Sequence, residues 1–206
     1  MNYRAKAIAS FETKLKLFIY NTVVNEGGNF DAEKFHNFSI GEELVKEYTT
    51  VYWQREKVYK IKEKSIDDIK EKSIDDIYKN MNALIADNKA NIDALKNEYI
   101  INQFPTIFSE VDFKEITSKN YCHYCEISKC RIEKLVESNQ LYKKSLRGWN
   151  LEIDRLNSNY EYSKDNCVMA CYWCNNAKTD EFTEDEFKKI GKVIGEIWKN
   201  RLHKKE

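Results

Sequence analysis

Two short stretches of the sequence decide the fold. Residues 149–180 read WNLEIDRLNSNYEYSKDNCVMACYWCNNAKTD, and residues 121–125 read YCHYC. Together they contain two Cys-x-x-Cys pairs, Cys122/Cys125 and Cys171/Cys174, and two such turns supply the four ligands of a closed tetrahedral zinc site. The gap from Cys125 to Cys171 is longer than in a zinc finger, so the pattern predicts a small fold threaded between two zinc knuckles.

Two disulfides, or four unconnected buried thiols, are the alternatives to zinc. Residues 1–10 are polar and basic, without the apolar run of an export signal. We therefore expect a reducing, cytoplasmic setting, in which metal ligation is favoured over disulfides. Cys130 and Cys167 fall outside the paired spacing, and we expect them to be small buried or half-buried residues rather than ligands.

Three polar residues within residues 149–180 lie at the ends of predicted strands or directly after a cysteine. Asp154 ends a predicted strand, Leu151–Asp154; Asn166 precedes a second, Cys167–Ala170; and Asn175 directly follows the last cysteine. With these features, residues 119–183 resemble the HNH endonuclease family, in the form whose ββα-metal core is held by two Cys-x-x-Cys knuckles. Asp154 stands at the family's metal-binding Asp and Asn166 at its middle Asn, and residues 174–178 match its C-N-x-x-K ending.

The resemblance implies an activity and its cofactors. It implies metal-dependent hydrolysis of DNA phosphodiester bonds, with a divalent ion, Mg²⁺ or Mn²⁺, on Asp154 and Asn175. Asn166 would orient the site by hydrogen bonds, and the zinc on the four cysteines would be structural only. The implied partner is duplex DNA, with RNA left open.

One position departs from the family. Its first His, the general base, falls on Arg155, and a guanidinium cannot accept a proton. In one interpretation the site is active: Glu152, which shares a strand face with Asp154, accepts the proton or joins the metal shell, and Arg155 holds a phosphate. In the other, the domain is a catalytically impaired zinc module that binds nucleic acid or a protein within a larger defence or phage assembly. We expect His123, inside the first knuckle, to face solvent.

Composition and charge are those of a soluble protein. The 206 residues are 42% hydrophobic and 33% charged, with a net charge of zero, which suits one or two small domains and argues against a general polyanion binder. No apolar run approaches the roughly 18 residues of a membrane span, so we expect no membrane partner. Lys143, Lys144 and Arg147, just before the core, and Lys178 are candidate nucleic-acid contacts. A solvated helix face is the equal alternative for the basic cluster.

Residues 1–112 are predicted to form a helical region. An amphipathic helix covers residues 1–24. Residues 39–103 contain no proline and carry apolar residues at three- and four-residue steps, which predicts a long coiled-coil-like helix or a hairpin broken near Asp87–Asn88. Phe104–Pro105 should end the helical run. The segment KEKSIDDI occurs twice, at 62–69 and 70–77. We expect this arm to dock on a protein partner or a second copy, with an unpartnered spacer as the alternative.

The predicted fold class is therefore α+β, mainly α. A long helical N-terminal arm precedes a small zinc-stapled ββα-metal (HNH) domain, residues 113–206, whose core helix starts at Asn175. A capping box at residues 183–186 then begins a C-terminal helix. The apolar residues expected to face the core from that helix are Phe187, Ile190, Ile194, Ile197 and Trp198.

Overall fold

The chain divides into two compact units. The computed structural model describes residues 1–60, 68–141 and 150–203, with 54–60 and 68–73 described as backbone only. Arg4–Phe104 form what we call the N-terminal unit, and Met1–Tyr3 with Pro105–Glu206 form the C-terminal unit. The domain limits predicted from the sequence, 1–112 and 113–206, stay predictions.

The described chain is mainly helical with one small antiparallel sheet, which confirms the α+β class. The elements, in chain order, are α1 (Tyr3–Asn25), α2 (Ala32–Asn37), α3 (Glu42–Lys60), α4 (Asp68–Asp87), α5 (Lys89–Glu98), a π-helical turn (Tyr99–Gln103), α6 (Phe104–Ile107), α7 (Glu110–Thr117), α8 (Lys129–Glu137), β1 (Glu152–Arg155), β2 (Cys167–Ala170), α9 (Tyr172–Lys178) and α10 (Glu184–His203). None of the helices in these ranges is long and apolar enough to cross a lipid bilayer.

An aromatic core fills the N-terminal unit. The predicted amphipathic helix forms as α1, and its Phe11 ring lies 5.5 Å from Phe35 of α2 and 5.6 Å from Tyr99, between ring centroids. Lys14 is buried in the same core, with its ammonium 5.0 Å from the Phe35 centroid. This tilted packing is a favourable geometry for aromatic pairs and accounts for the apolar face of α1.

The arm predicted from residues 39–103 is not one continuous helix. Helix α3 contacts α4, so the two pack on each other, and α4 ends at Asp87, where the sequence predicted a break. In one straight helix, α3 and α4 would lie end to end and could not pack side by side. The prediction of a single long helix is therefore wrong. Residues 62–67, in the first copy of the repeat, lie outside the described residues. Docking of the arm on a partner stays a prediction.

The prediction that Phe104–Pro105 ends the helical run is wrong. Helical backbone continues through α6 to Ile107. The turn before it is π-helical, and the Phe104 N–H donates to the carbonyl of Tyr99, five residues back. Proline lacks an N–H and collides with the carbonyl four residues earlier in an α-helix. The wider turn places Pro105 in the first turn of a new helix segment, where proline is tolerated.

The C-terminal unit contains the sheet and ends in helix α10. Strands β1 and β2 pair antiparallel, with Asp154 opposite Val168 and Arg155 opposite Cys167. The predicted capping box is present, because the Thr183 N–H donates to the Glu186 carboxylate at 2.9 Å and the Glu186 N–H donates to the Thr183 hydroxyl at 3.4 Å. This reciprocal pair starts α10.

The buried face of α10 differs from the predicted one. Phe187 and Trp198 are buried, as expected, but Ile190 and Ile197 are 38% and 44% exposed. Gly191 and Gly195 take their place against the first knuckle. A Cβ added at Gly191 would lie 2.5 Å from the carbonyl oxygen of Tyr124, and one at Gly195 would lie 2.5 Å from that of Cys125. The helix therefore packs directly on the knuckle backbone.

We expect Gly191→Ala to destabilise the protein. Alanine alone would favour the helix by up to about 1 kcal/mol, but overpacking against the Tyr124 backbone should cost roughly 1–3 kcal/mol. Thermal melting measures the balance. Gly41→Ala is the matched control, because a Cβ there meets nothing within 4 Å. A Gly191→Ala variant that melts at or above wild type would contradict the close approach.

Candidate metal centre and active site

The four paired cysteines come together in one buried cluster. Their Sγ atoms all lie within 4.8 Å of one another, and those of Cys125 and Cys171 are 3.6 Å apart. A tetrahedral zinc ion with bonds of about 2.3 Å needs sulfurs about 3.8 Å apart. The cluster can therefore hold a zinc ion. Neither Cys130 nor Cys167 belongs to the cluster, as expected. Cys167 is buried in β2, but Cys130 is exposed on α8, so the expectation that it would be buried or half-buried is wrong.

Four thiols this close cannot all ionise without a cation. Hydrogen bonds from the neighbouring thiols, Cys125 first, hold the pKa of Cys122 far below its usual range. The pKa of Cys171 and of Cys174 is raised, chiefly by the hydrogen bond each makes to Cys122. Without a cation, the thiols of the cluster therefore compete for negative charge rather than ionise together. A bound dication removes this restriction, because metal ligation requires thiolates.

Local backbone geometry builds each knuckle. In the first, the Glu126 N–H donates to the Cys122 carbonyl at 2.9 Å, which closes a tight turn. In the second, Cys171 caps α9, with the Cys174 N–H 3.5 Å from its sulfur. The core helix consequently begins at Tyr172, not at Asn175 as predicted, because the second pair of cysteines forms its first turn.

Two polar pairs join β1 to α9. The Asn175 amide nitrogen donates to the Glu152 carboxylate at 2.9 Å. The Lys178 ammonium lies 3.9 Å from the Asp154 carboxylate and donates to the Arg155 carbonyl at 3.1 Å. Glu152 and Asp154 share one face of β1 by strand alternation. The structure therefore brings together three residues of the predicted site, Glu152, Asp154 and Asn175.

Asp154 is a largely buried carboxylate that interacts with Tyr124 and Lys178. Its side chain is 14% exposed. Burial raises the pKa of Asp154, while the hydrogen bond from the Tyr124 hydroxyl, at 2.8 Å, and the Lys178 charge act in the opposite direction. The pKa of Tyr124 is raised well above its usual range, mainly by burial and next by the Asp154 charge. The hydroxyl therefore keeps its proton and serves as a donor.

Two of these contacts were missed by sequence reasoning. Lys178 was expected at the nucleic-acid surface, but its side chain is only 4% exposed and its ammonium faces Asp154. Tyr124 was not singled out at all. A tyrosine inside a knuckle carries no sequence signal for a carboxylate 30 positions away.

Arg155 lies at the end of β1, turned toward the loop that follows. One guanidinium nitrogen donates to the Tyr160 carbonyl at 2.9 Å, and the guanidinium carbon lies 4.8 Å from the Tyr162 ring centroid. By strand alternation Arg155 points to the opposite face from Asp154. Its described contacts fasten the loop.

Asn166 fastens the same loop from its other end. Its amide nitrogen donates to the carbonyls of Asn157, at 3.0 Å, and Glu161, at 2.9 Å, and its amide oxygen accepts from the Asn157 N–H at 2.9 Å. Its side chain hydrogen-bonds to the backbone of the loop, and an orienting role in a catalytic site stays a prediction.

The His123 side chain, also singled out from the sequence, pairs with the start of α10. Lys143, Lys144 and Arg147 lie outside the described residues. His123 was expected to face solvent, but its Nε2 lies 2.7 Å from the Glu184 carboxylate. Glu184 also pairs with Lys188 at 2.7 Å. The pKa of Glu184 is lowered, mainly by the hydrogen bond from Lys188 and also by that from His123.

Comparisons with known proteins cover part of the chain. No family model matches it. Over 83 residues it is 37% identical to an uncharacterised protein of Acanthamoeba polyphaga mimivirus, a match that covers 33% of this chain and only 15% of the viral protein's length. It is also similar to a solved structure of the rare-cutting HNH restriction endonuclease PacI, at 28% identity and a TM-score of 0.35, over 41% of this chain and 58% of that one.

Zinc content tests the cluster. We expect one zinc per chain, lost in Cys171→Ser together with a large fall in the melting temperature, because structural zinc binding contributes folding free energy. Cys130→Ser, at the exposed cysteine, is the matched control and should keep both. Elemental analysis and melting are the measurements. Full zinc retention and unchanged melting in Cys171→Ser would rule out the assignment.

Proposed function

We propose that the C-terminal unit is a metal-dependent endonuclease that hydrolyses phosphodiester bonds of duplex DNA. The observation that carries the proposal is the row of polar side chains between β1 and α9, beside a cysteine cluster that can hold zinc. We call this row, Glu152, Asp154, Asn175 and Lys178, the polar row. The resemblance of residues 119–183 to HNH endonucleases implies the reaction and the substrate.

The polar row has the chemistry of a hard-cation site. Carboxylate and amide oxygens suit Mg²⁺ and Mn²⁺, whereas thiolates suit zinc. Asp154 would offer a carboxylate oxygen to such an ion. Asn175 would offer its amide oxygen, because its amide nitrogen is bonded to Glu152. When bound, the divalent ion would polarise the scissile phosphate and stabilise the leaving oxygen.

Glu152 is the proposed general base. It shares a strand face with Asp154. The Asn175 amide nitrogen donates a hydrogen bond to its carboxylate at 2.9 Å and so holds it in place. A carboxylate held in this way can accept a proton from an attacking water molecule. Lys178 is a positioning residue: its ammonium offsets the charge of Asp154 and ties the end of β1 to α9 through the Arg155 carbonyl.

Arg155 and Asn166 would support the site from the loop. Both hold backbone carbonyls between residues 157 and 161. A phosphate contact by Arg155, proposed from the sequence, stays a prediction, as do the DNA contacts of Lys143, Lys144 and Arg147.

A second candidate function is a zinc module that binds nucleic acid without cutting it. The contacts of Arg155 favour it, because the position of the family's general base carries a guanidinium engaged with Tyr160 and Tyr162. The two candidates differ in one measurable property, metal-dependent cleavage.

Plasmid nicking separates them. With Mg²⁺ or Mn²⁺, we expect wild type to nick supercoiled DNA and Asp154→Asn to lose at least about 10²-fold in rate, because the ion would lose its anionic ligand. Asp165→Asn, an exposed carboxylate of the same unit, is the matched control. Retained DNA binding without cleavage by wild type in either metal would favour the binding module.

The identity of the base has a separate test. Glu152→Gln should lower the nicking rate roughly 10²- to 10⁴-fold, the range of general-base catalysis. Arg155→His should not raise the nicking rate above that of wild type by a comparable factor, because the side chain at position 155 faces the loop rather than Asp154. Glu133→Gln, at an exposed position of α8, is the control. A Glu152→Gln variant as active as wild type, or a large gain in Arg155→His, would place the base elsewhere.

A further inference from the structure

The side chain of Tyr124, in the first zinc knuckle, contacts the polar row. Tyr124 lies between the ligand candidates Cys122 and Cys125, and its hydroxyl donates to the Asp154 carboxylate at 2.8 Å. The tyrosine is 2% exposed. This hydrogen bond joins the candidate zinc ligands to the candidate ligand of the catalytic ion.

Packing fixes Tyr124 from several sides. Its ring meets Phe187 of α10 edge-to-face, at 5.1 Å between centroids. Gly191 brings the α10 backbone against the Tyr124 carbonyl, so closely that a Cβ would lie 2.5 Å from it. The adjacent His123 N–H donates to the Met169 carbonyl of β2 at 2.7 Å. The hydroxyl is thus held at a set position relative to the sheet.

We propose that Tyr124 is a positioning residue that holds the Asp154 carboxylate for the catalytic divalent ion. The inference rests on the proposed endonuclease function. A buried carboxylate can rotate about its side-chain torsions unless a neighbour holds it, and Tyr124 supplies that neighbour from a rigid knuckle. Partners that orient a metal ligand commonly contribute 10- to 100-fold to metal affinity or activity, in order-of-magnitude terms. Tyr124 contacts neither substrate nor metal in this arrangement and acts through Asp154.

Tyr124→Phe tests the role without removing the ring that packs on Phe187. Mn²⁺ binding to the zinc-loaded 206-residue chain is measured by electron paramagnetic resonance, which needs no DNA and no turnover. We expect the Mn²⁺ affinity to fall roughly tenfold, in line with lost orientation of a ligand. The nicking rate should fall most at limiting Mn²⁺ and recover toward wild type at saturation.

Matched variants separate positioning from folding. Tyr121→Phe, at an exposed tyrosine next to the same knuckle, should leave Mn²⁺ affinity unchanged. Zinc content and melting of Tyr124→Phe are measured alongside. An affinity equal to wild type in a folded, zinc-loaded Tyr124→Phe variant would overturn the inference.

If Tyr124→Phe does not fold, the inference can be tested on the wild-type protein. In protein labelled with ¹³C-tyrosine, added Mn²⁺ should broaden the Tyr124 ring signals, because the Tyr124 hydroxyl lies 2.8 Å from the carboxylate proposed to bind the ion. Tyr124 signals that stay sharp at saturating Mn²⁺ would overturn the inference.

The outcomes also distinguish this inference from the proposed function. A wild type that binds no more Mn²⁺ than Asp154→Asn and nicks no DNA would overturn both. A wild type that binds Mn²⁺ and nicks DNA, with Tyr124→Phe unchanged in both, would overturn the positioning role alone.

Discussion

Four buried sulfur atoms within 4.8 Å of one another set the constraint on which the C-terminal unit depends. Hydrogen bonds to Cys122 raise the pKa of Cys171 and of Cys174, whereas a bound dication would hold all four sulfurs as thiolate ligands. Structural zinc contributes apparent binding free energies on the order of 10–16 kcal/mol, comparable to or larger than the net stability of a typical domain. Cys125 and Cys171 are 46 positions apart, so the cluster joins two distant loops around the sheet.

The polar row follows from that junction. Cys171 caps α9, and the helix then presents Asn175 and Lys178, one turn apart, to the face of β1 that carries Glu152 and Asp154. Burial raises the pKa of Asp154, and the two largest opposing contributions come from Tyr124 of the first knuckle and Lys178 of α9. The proposed catalytic carboxylate thus depends on elements that the cysteines bring together.

The sequence was informative where the signal is local. Cysteine spacing, the strand before Asp154 and the capping box at Thr183 all involve residues close in the chain, and the structure has them. Contacts set by tertiary approach were missed. Apolar periodicity pointed to Ile190, but Gly191 is the residue that lies on the knuckle, because only a residue without Cβ permits that approach. Lys178 was predicted to be a surface cation, because nothing near it in the sequence indicates its pairing with Asp154.

X-ray absorption at the zinc and manganese edges, on the 206-residue chain loaded with both metals, measures whether the two metal sites are separate. We expect a zinc shell of four sulfurs at about 2.3 Å and a manganese shell of oxygen ligands without sulfur, the latter lost in Asp154→Asn. Sulfur in the manganese shell, fewer than four sulfurs around zinc, or a manganese spectrum indifferent to Asp154 would contradict the separation of a structural zinc staple from a hard-cation site.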